Sequence, residues 1–249
     1  MRYLNPWKRL IKSFRKPIFE FQQALQSHLP KQILNLITAC IFDLDGVIVD
    51  TAHYHFLAWR KLAREFGYEL TPTDNERLKG VSRMTSLEIV LQLGGVTASQ
   101  HEKELMANKK NTWFNDYIER MAPEEIFPGV KQLLRDLRSK GLKVGLASSS
   151  KNAKTVIQVL HIQNEFDVIV DGTMITHSKP HPEIFLLAAQ KLNVKPEECL
   201  VFEDAEAGVE AALAAGMKCV GVGNAQQLDA AHEVVAKTAD FKITELAKL

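Results

Sequence analysis

Short apolar runs alternate with amphipathic stretches over most of the chain. TACIFDL (38–44), KVGLASS (143–149), FDVIVDG (166–172), ECLVFED (198–204) and MKCVGVG (217–223) each end in small, polar or acidic residues. Near-continuous apolar runs of this length predict parallel strands covered on both faces. Helical periodicity fills the gaps at 129–140, 151–161, 182–192 and 206–215, with Gly141 and Gly216 placed as helix stops. This alternation predicts an α/β fold, a Rossmann-like doubly wound parallel sheet.

One stretch breaks the rhythm. Residues 54–122 read as helices without a strand, one beginning at Thr71-Pro72 and another ending at Gly94-Gly95. They predict a helical cap domain inserted after the first strand. The α/β core then comprises 38–53 and 123–249. An insert at this point lies over the carboxyl ends of the strands, where open α/β sheets bind ligands.

Residues 1–37 form a third segment. They net +6, which leaves −5 for the remainder of a chain whose total is +1. Trp7, Leu10, Ile11, Phe14, Ile18, Phe21, Leu25 and Leu29 recur at mostly helical spacing, interrupted at Pro17. A basic amphipathic helix on a membrane or protein surface, an organelle-targeting peptide and an extension without a specific role all fit. Charged residues break the apolar run that a secretory signal would need.

Composition narrows the class. An apolar share of 46% and a charged share of 24% are those of a globular enzyme. A total charge of +1 gives no case for a nucleic-acid partner. No apolar run nears the ~20 residues of a transmembrane segment. Cys40, Cys199 and Cys219 lack zinc-ligand spacing and lie in or beside apolar runs, so buried thiols in a reducing, cytoplasmic setting are expected. A monomer is the default expectation.

The strand ends carry the chemistry. The first offers Asp43 and Asp45, the second Ser148, Ser149 and Ser150, and the third leads to Lys179-Pro180. The fourth offers Glu203 and Asp204. In a doubly wound sheet these ends converge on one crevice. Four gathered carboxylates call for a hard, oxygen-seeking cation such as Mg²⁺. Lys179, Ser148 and backbone N–H groups at the next helix start would receive anionic phosphoryl oxygens. A carboxylate then becomes a workable nucleophile toward phosphorus, and a second acid two residues on can move the proton. His177 and His181 flank Lys179 and read as surface groups rather than Mg²⁺ ligands, because Mg²⁺ prefers oxygen.

The set DLDGVIVDT, LASSS, Lys179-Pro180 and VFEDAEAG resembles the four motifs of the haloacid dehalogenase-like hydrolases, over residues 38–249. That resemblance implies Asp43 as nucleophile and Asp45 as general acid/base. Ser148 and Lys179 would hold the transferring phosphoryl group. Asp43, the main-chain carbonyl of Asp45, Glu203 and Asp204 would hold Mg²⁺. Within the superfamily, DTAHYHFLAWRKLA, LKGVSRMTSLEIVL and ASSSKN are similar to the β-phosphoglucomutase family. Its reaction interconverts β-glucose 1-phosphate and glucose 6-phosphate through a bisphosphate, so a small phosphorylated sugar is the implied partner.

That closer resemblance places Thr51 at the cap hinge, and His55 and Trp59 on the first cap helix. Lys79, Gly80, Val81 and Ser82 would form a specificity loop, and Arg83 would grip the distal phosphate. Ser86, Lys110, Ser149, Ser150 and Asn152 match further substrate-binding positions. Ser149 departs from the alanine common in the mutases, and the basic extension is absent from the typical member. Competing structural readings are a packed core histidine for His55 and solvated cap charges for Lys79, Arg83 and Lys110. Trp59, Trp113 and Phe114 read as helix packing. A sugar-phosphate phosphatase on the same scaffold and a catalytically silent phosphosugar-binding protein are the competing functions.

Overall fold

The computed structural model describes residues 37–78, 81–247 and 249. The expectations for Lys79, Gly80 and the basic extension up to residue 36 therefore fall outside the described residues.

Six strands form one all-parallel sheet: β1 (Ala39–Phe42), β2 (Lys143–Ala147), β3 (Val168–Val170), β4 (Cys199–Glu203), β5 (Lys218–Val222) and β6 (Glu233–Val235). Their order is β3-β2-β1-β4-β5-β6. The chain runs outward from β1 through β2 to β3, then crosses back and runs outward again from β4. Strand order thus reverses beside β1, and the crevice of a doubly wound sheet opens at the ends of β1 and β4. Asp43 and Glu203 sit there.

Both faces of β1 are buried, which is why its four residues alternate without a polar position. Ala39 and Ile41 pack on one side with α7 (Glu183–Leu192) and α8 (Glu206–Ala214). Cys40 and Phe42 pack on the other with α5 (Val130–Ser139) and α6 (Ala153–Val159). Phe42 pairs in register with Phe202 on β4, and their rings stack at 4.4 Å. Cys40, Cys199 and Cys219 are free and buried, as their apolar surroundings predict.

Four helices stand between β1 and α5: α1 (Ala52–Glu65), α2 (Pro72–Glu76), α3 (Arg83–Leu93) and α4 (Gln100–Ile118). The first begins two residues ahead of the sequence-based boundary at 54. Local chemistry sets several ends. Thr71 and Asp74 form a reciprocal capping box at α2, and Ser99 and Glu102 do so at α4. The hydroxyl of Ser82 accepts the Thr85 N–H at the start of α3. The cap has its own apolar core, built from Trp59, Leu62, Leu70, Leu87, Val90 and Leu91. Tyr54 donates to Glu125 at 2.7 Å and so ties the start of α1 to the segment by which the chain returns to the sheet.

Two sequence-based expectations need correction. The five apolar runs leave out one strand: β6 follows MKCVGVG at the sheet edge. The helix expected from residue 151 starts at Ala153 instead. Ser148 Oγ accepts the Ser150 N–H and Ser150 Oγ accepts the Asn152 N–H, both at 3.2 Å. These local bonds hold the loop out of helical form. They also occupy two of the N–H groups that had been expected to face an anion. Among the described residues, no helix is long and apolar enough to cross a membrane.

Candidate active site

The ends of β1 and β4 build the floor. Strand pairing runs one residue past β1, where the Asp43 N–H donates to Phe202 O at 3.0 Å. The Asp43 carboxylate turns back to accept the Asp45 N–H at 3.0 Å, which shapes the following turn. That turn closes through Gly46 N–H to Val49 O at 2.9 Å, with Gly46 at φ +77°. A side chain at Gly46 would overlap the Asp204 carboxylate. From the far end of the chain, buried Thr238 fastens the same turn by donating to Val47 O at 2.6 Å.

Lys179 lies beneath this floor. Its Nζ donates to Asp43 at 2.5 Å and Glu203 at 3.2 Å, and all three side chains are almost wholly buried. Burial alone would lower the lysine's pKa, but Asp43 and Glu203 outweigh it and raise it. The ammonium therefore stays charged and offsets two carboxylates.

One charge against so many acids leaves a deficit. Asp43, Glu203 and Asp204 bring ligand oxygens within 4.8 Å of one another. Glu203 Oε1 is buried without a hydrogen-bond partner among the described residues. A buried carboxylate oxygen in that state is costly unless a cation meets it. An all-oxygen donor set with an orphaned carboxylate oxygen fits a hard divalent cation. Gly208, early in α8, is part of the fit, since a side chain there would overlap the Glu203 carboxylate. The Asp45 carboxylate stands outside the three. Burial first, then the charges of Asp43 and Asp204, raise its pKa.

Above the floor lies a cavity of about 640 Å³ between the sheet ends and the helices of the cap. Most of the sequence-predicted residues line it: Asp43, Asp45, His55, Trp59, Val81, Ser82, Arg83, Ser86, Lys110, Ser148, Ser149, Ser150, Asn152 and Asp204. Thr51, Lys179 and Glu203 do not. Thr51 is buried just ahead of α1, and the other two support the floor from below.

The cap supplies cations. Lys110 is 1% exposed, which overturns the solvated reading of NKKN. Its ammonium donates to His55 Nδ1 at 2.7 Å and lies over the rings of Trp59 and Phe114 at 4.6 and 4.7 Å. His55 stacks on Phe114 at 3.9 Å. It is packed as a core histidine would be and still lines the cavity. Burial lowers the pKa of both groups, and the Arg83 charge lowers them further. Arg83 makes no hydrogen bond or ion pair among the described residues, while Ser86 points its hydroxyl at Leu78 O, 3.4 Å away.

Sequence reasoning missed Asn111, which accepts from Asn152 Nδ2 at 2.7 Å and joins cap helix α4 to the β2–α6 loop. It also missed Gln100, Glu104 and Asn108 on the cavity wall. Their spacing along α4 places all four on one polar face of the helix. That spacing was the available signal.

Fold and site together define a class: α/β proteins with an aspartate and a buried carboxylate cluster at the switch point, and helices inserted after the first strand. The chain belongs to the haloacid dehalogenase-like hydrolase family, whose model matches residues 37–216. It is 45% identical over 207 residues to the β-phosphoglucomutase of Bacillus subtilis, covering 82% of this chain and 92% of that one. It is 34% identical over 183 residues to the phosphorylated carbohydrates phosphatase of Thermotoga maritima, covering 72% and 82%. The crystal structure of β-phosphoglucomutase from Clostridium difficile superposes with a TM-score of 0.82 at 45% identity, over 85% of this chain and 97% of that one.

Proposed function

We propose that this protein is a metal-dependent β-phosphoglucomutase, interconverting β-D-glucose 1-phosphate and glucose 6-phosphate through an aspartyl-phosphate and glucose 1,6-bisphosphate. The core (38–53 and 123–249) carries phosphoryl transfer and the cap (54–122) carries sugar and distal-phosphate recognition. The observation that carries the reading is a single cavity with Asp43 and Asp45 on its floor and Arg83, Lys110 and His55 on its cap side. A molecule with phosphate at both ends meets a reacting group at one end and a cation at the other.

Asp43 is the nucleophile, attacking phosphorus while the sugar oxygen leaves. Ser148 and Lys179 hold the phosphoryl oxygens, and Lys179 is already aligned by its contacts with Asp43 and Glu203. Asp45, two residues on, gives its proton to the leaving oxygen and takes one from the incoming hydroxyl. Asp43, Glu203, Asp204 and the main-chain carbonyl of Asp45 hold Mg²⁺, which supplies charge neutralisation at the phosphoryl group. Ser149, Ser150 and Asn152 receive the substrate from the core side. His55, Trp59 and residues 79–83 receive it from the cap, with Ser86 and Lys110 beside them. Thr51 serves as the hinge.

The cap separates a mutase from a phosphatase. A phosphoenzyme that must outlast the reorientation of its bisphosphate needs protection from water. The Asn111–Asn152 bond, which joins cap helix α4 to the β2–α6 loop, supports this reading.

Phosphorus NMR on β-glucose 1-phosphate with Mg²⁺ and a trace of glucose 1,6-bisphosphate tests the proposal. Glucose 6-phosphate with little free phosphate is expected. Dominant free phosphate would overturn the mutase in favour of the phosphatase. Absence of turnover of any sugar phosphate would favour a binding protein.

A further inference from the structure

Three side chains next to Lys179 have no part in the reaction above. His177, His181 and Glu183 surround the loop that delivers the lysine, and each brings a ligating atom within 4.8 Å of the other two. The two imidazoles lie 4.6 Å apart, centre to centre, at 33°. His177 Nδ1 is 2.9 Å from Glu183 Oε2. Both histidines are exposed, so an ion in solution reaches them directly.

The donors differ in kind from those on the floor. Two imidazole nitrogens and one carboxylate oxygen are poor ligands for Mg²⁺ but a set that zinc and its neighbours bind tetrahedrally, with a fourth place left for water. Bonds of about 2.0–2.2 Å at tetrahedral angles put ligand atoms roughly 3.3–3.5 Å apart. The His177–Glu183 contact must open by a few tenths of an ångström, and exposed His181 must swing inward by about 1.5 Å at most.

One ligand is held in place in advance. Glu183 accepts the Thr176 and His177 N–H groups at 2.9 and 2.8 Å. Those bonds hold its pKa down to about 2, so it is a carboxylate at any physiological pH. His181 Nδ1 accepts the Glu183 N–H at 3.2 Å, a long contact that a metal can compete with.

We propose that His177, His181 and Glu183 bind one divalent transition-metal ion of the zinc type, at a site separate from the carboxylate cluster. The ion cross-links residues 177, 181 and 183 and so fixes the loop that holds Lys179 against Asp43 and Glu203.

Titration of the full chain with Zn²⁺ against a chromophoric chelator tests this, with millimolar Mg²⁺ present to fill the oxygen site. His177→Gln, His181→Gln and the double variant are compared with wild type, and Mg²⁺-dependent turnover shows that each is folded. One Zn²⁺ per chain is expected, at least about tenfold weaker in each single variant and lost in the double. Co²⁺ should give tetrahedral visible absorption in wild type only. Zn²⁺ should also raise the melting temperature of wild type and not of the double variant. Equal Zn²⁺ affinity in wild type and the double variant overturns the assignment, as does a wild-type protein that binds none.

Discussion

Gly46→Ala separates a backbone effect from a metal-site effect. Gly46 stands at φ +77°, where a side chain costs about 1–2 kcal/mol. Its added Cβ would also overlap the Asp204 carboxylate, so the turn, Asp204 or both must shift. Gly67→Ala supplies the control: its φ is +80°, and its added Cβ meets nothing within 4 Å. The control should lose only the backbone cost, about 2–8 °C in melting temperature at about 2–4 °C per kcal/mol. Gly46→Ala should lose more. It should also need at least about tenfold more Mg²⁺ for half-maximal turnover, because Asp204, or the turn that carries the Asp45 carbonyl, has been displaced. Melting curves and Mg²⁺ titrations of the two variants decide the matter. Equal melting losses would refute the overlap, and an unchanged Mg²⁺ requirement would contradict a metal site built from Asp204 and the Asp45 carbonyl.

Asp43→Asn should abolish phosphoenzyme formation while the protein stays folded, and labelling that persists in this variant would remove Asp43 as nucleophile. Arg83→Ala should lower mutase kcat/KM by about 10–100-fold, the worth of a charged hydrogen bond, and hardly affect hydrolysis of a small acyl phosphate. Equal losses in the two assays would contradict the distal-phosphate role. The hydrogen bond to Glu125, with burial behind it, pushes the Tyr54 pKa up to about 12. The unfolded phenol ionises near 10, so the folded chain keeps a proton that the unfolded chain loses, and stability falls from about pH 10 to pH 12. Tyr54→Phe should cost about 1 kcal/mol at neutral pH and show a shallower alkaline loss in denaturant titrations than wild type; parallel losses would show that the bond contributes nothing.

The core was legible because its strands are buried on both faces and its reactive groups sit where those strands stop. β1 and β4 appear as apolar runs that end in acids, and their adjacency follows from the topology of a doubly wound sheet. β6 escaped because Glu233–Val235 is a three-residue edge strand whose apolar run, Val234 to Ala236, is too short to mark it. The start of α6 was misplaced because serine hydroxyls at 148 and 150 bond to the loop backbone, a preference that helical periodicity does not register. Lys110 was legible only through the family resemblance. NKKN carries no local sign of burial, which comes from α1 packing on α4 and closing Trp59 and His55 around the amine. The polar face of α4 differs. Gln100, Glu104 and Asn108 look solvent-facing in sequence and are exposed even as they line the cavity, while half-buried Asn111 bonds to Asn152.

That polar face and its buried lysine bear on how the cap closes. Arg83 and Lys110 approach the cavity partly stripped of water: burial lowers the pKa of each, and the Arg83 charge lowers that of Lys110 further. The floor answers only in part, because Lys179 already offsets Asp43 and Glu203. The cap side of the cavity therefore carries the Arg83 guanidinium without a hydrogen bond or ion pair among the described residues, and the floor a buried carboxylate oxygen without one. A phosphate dianion satisfies the first and a divalent cation the second. On the proposed reading, substrate and metal supply the counter-charges that make closure favourable, so the cap seals the site when there is a phosphoryl group to protect.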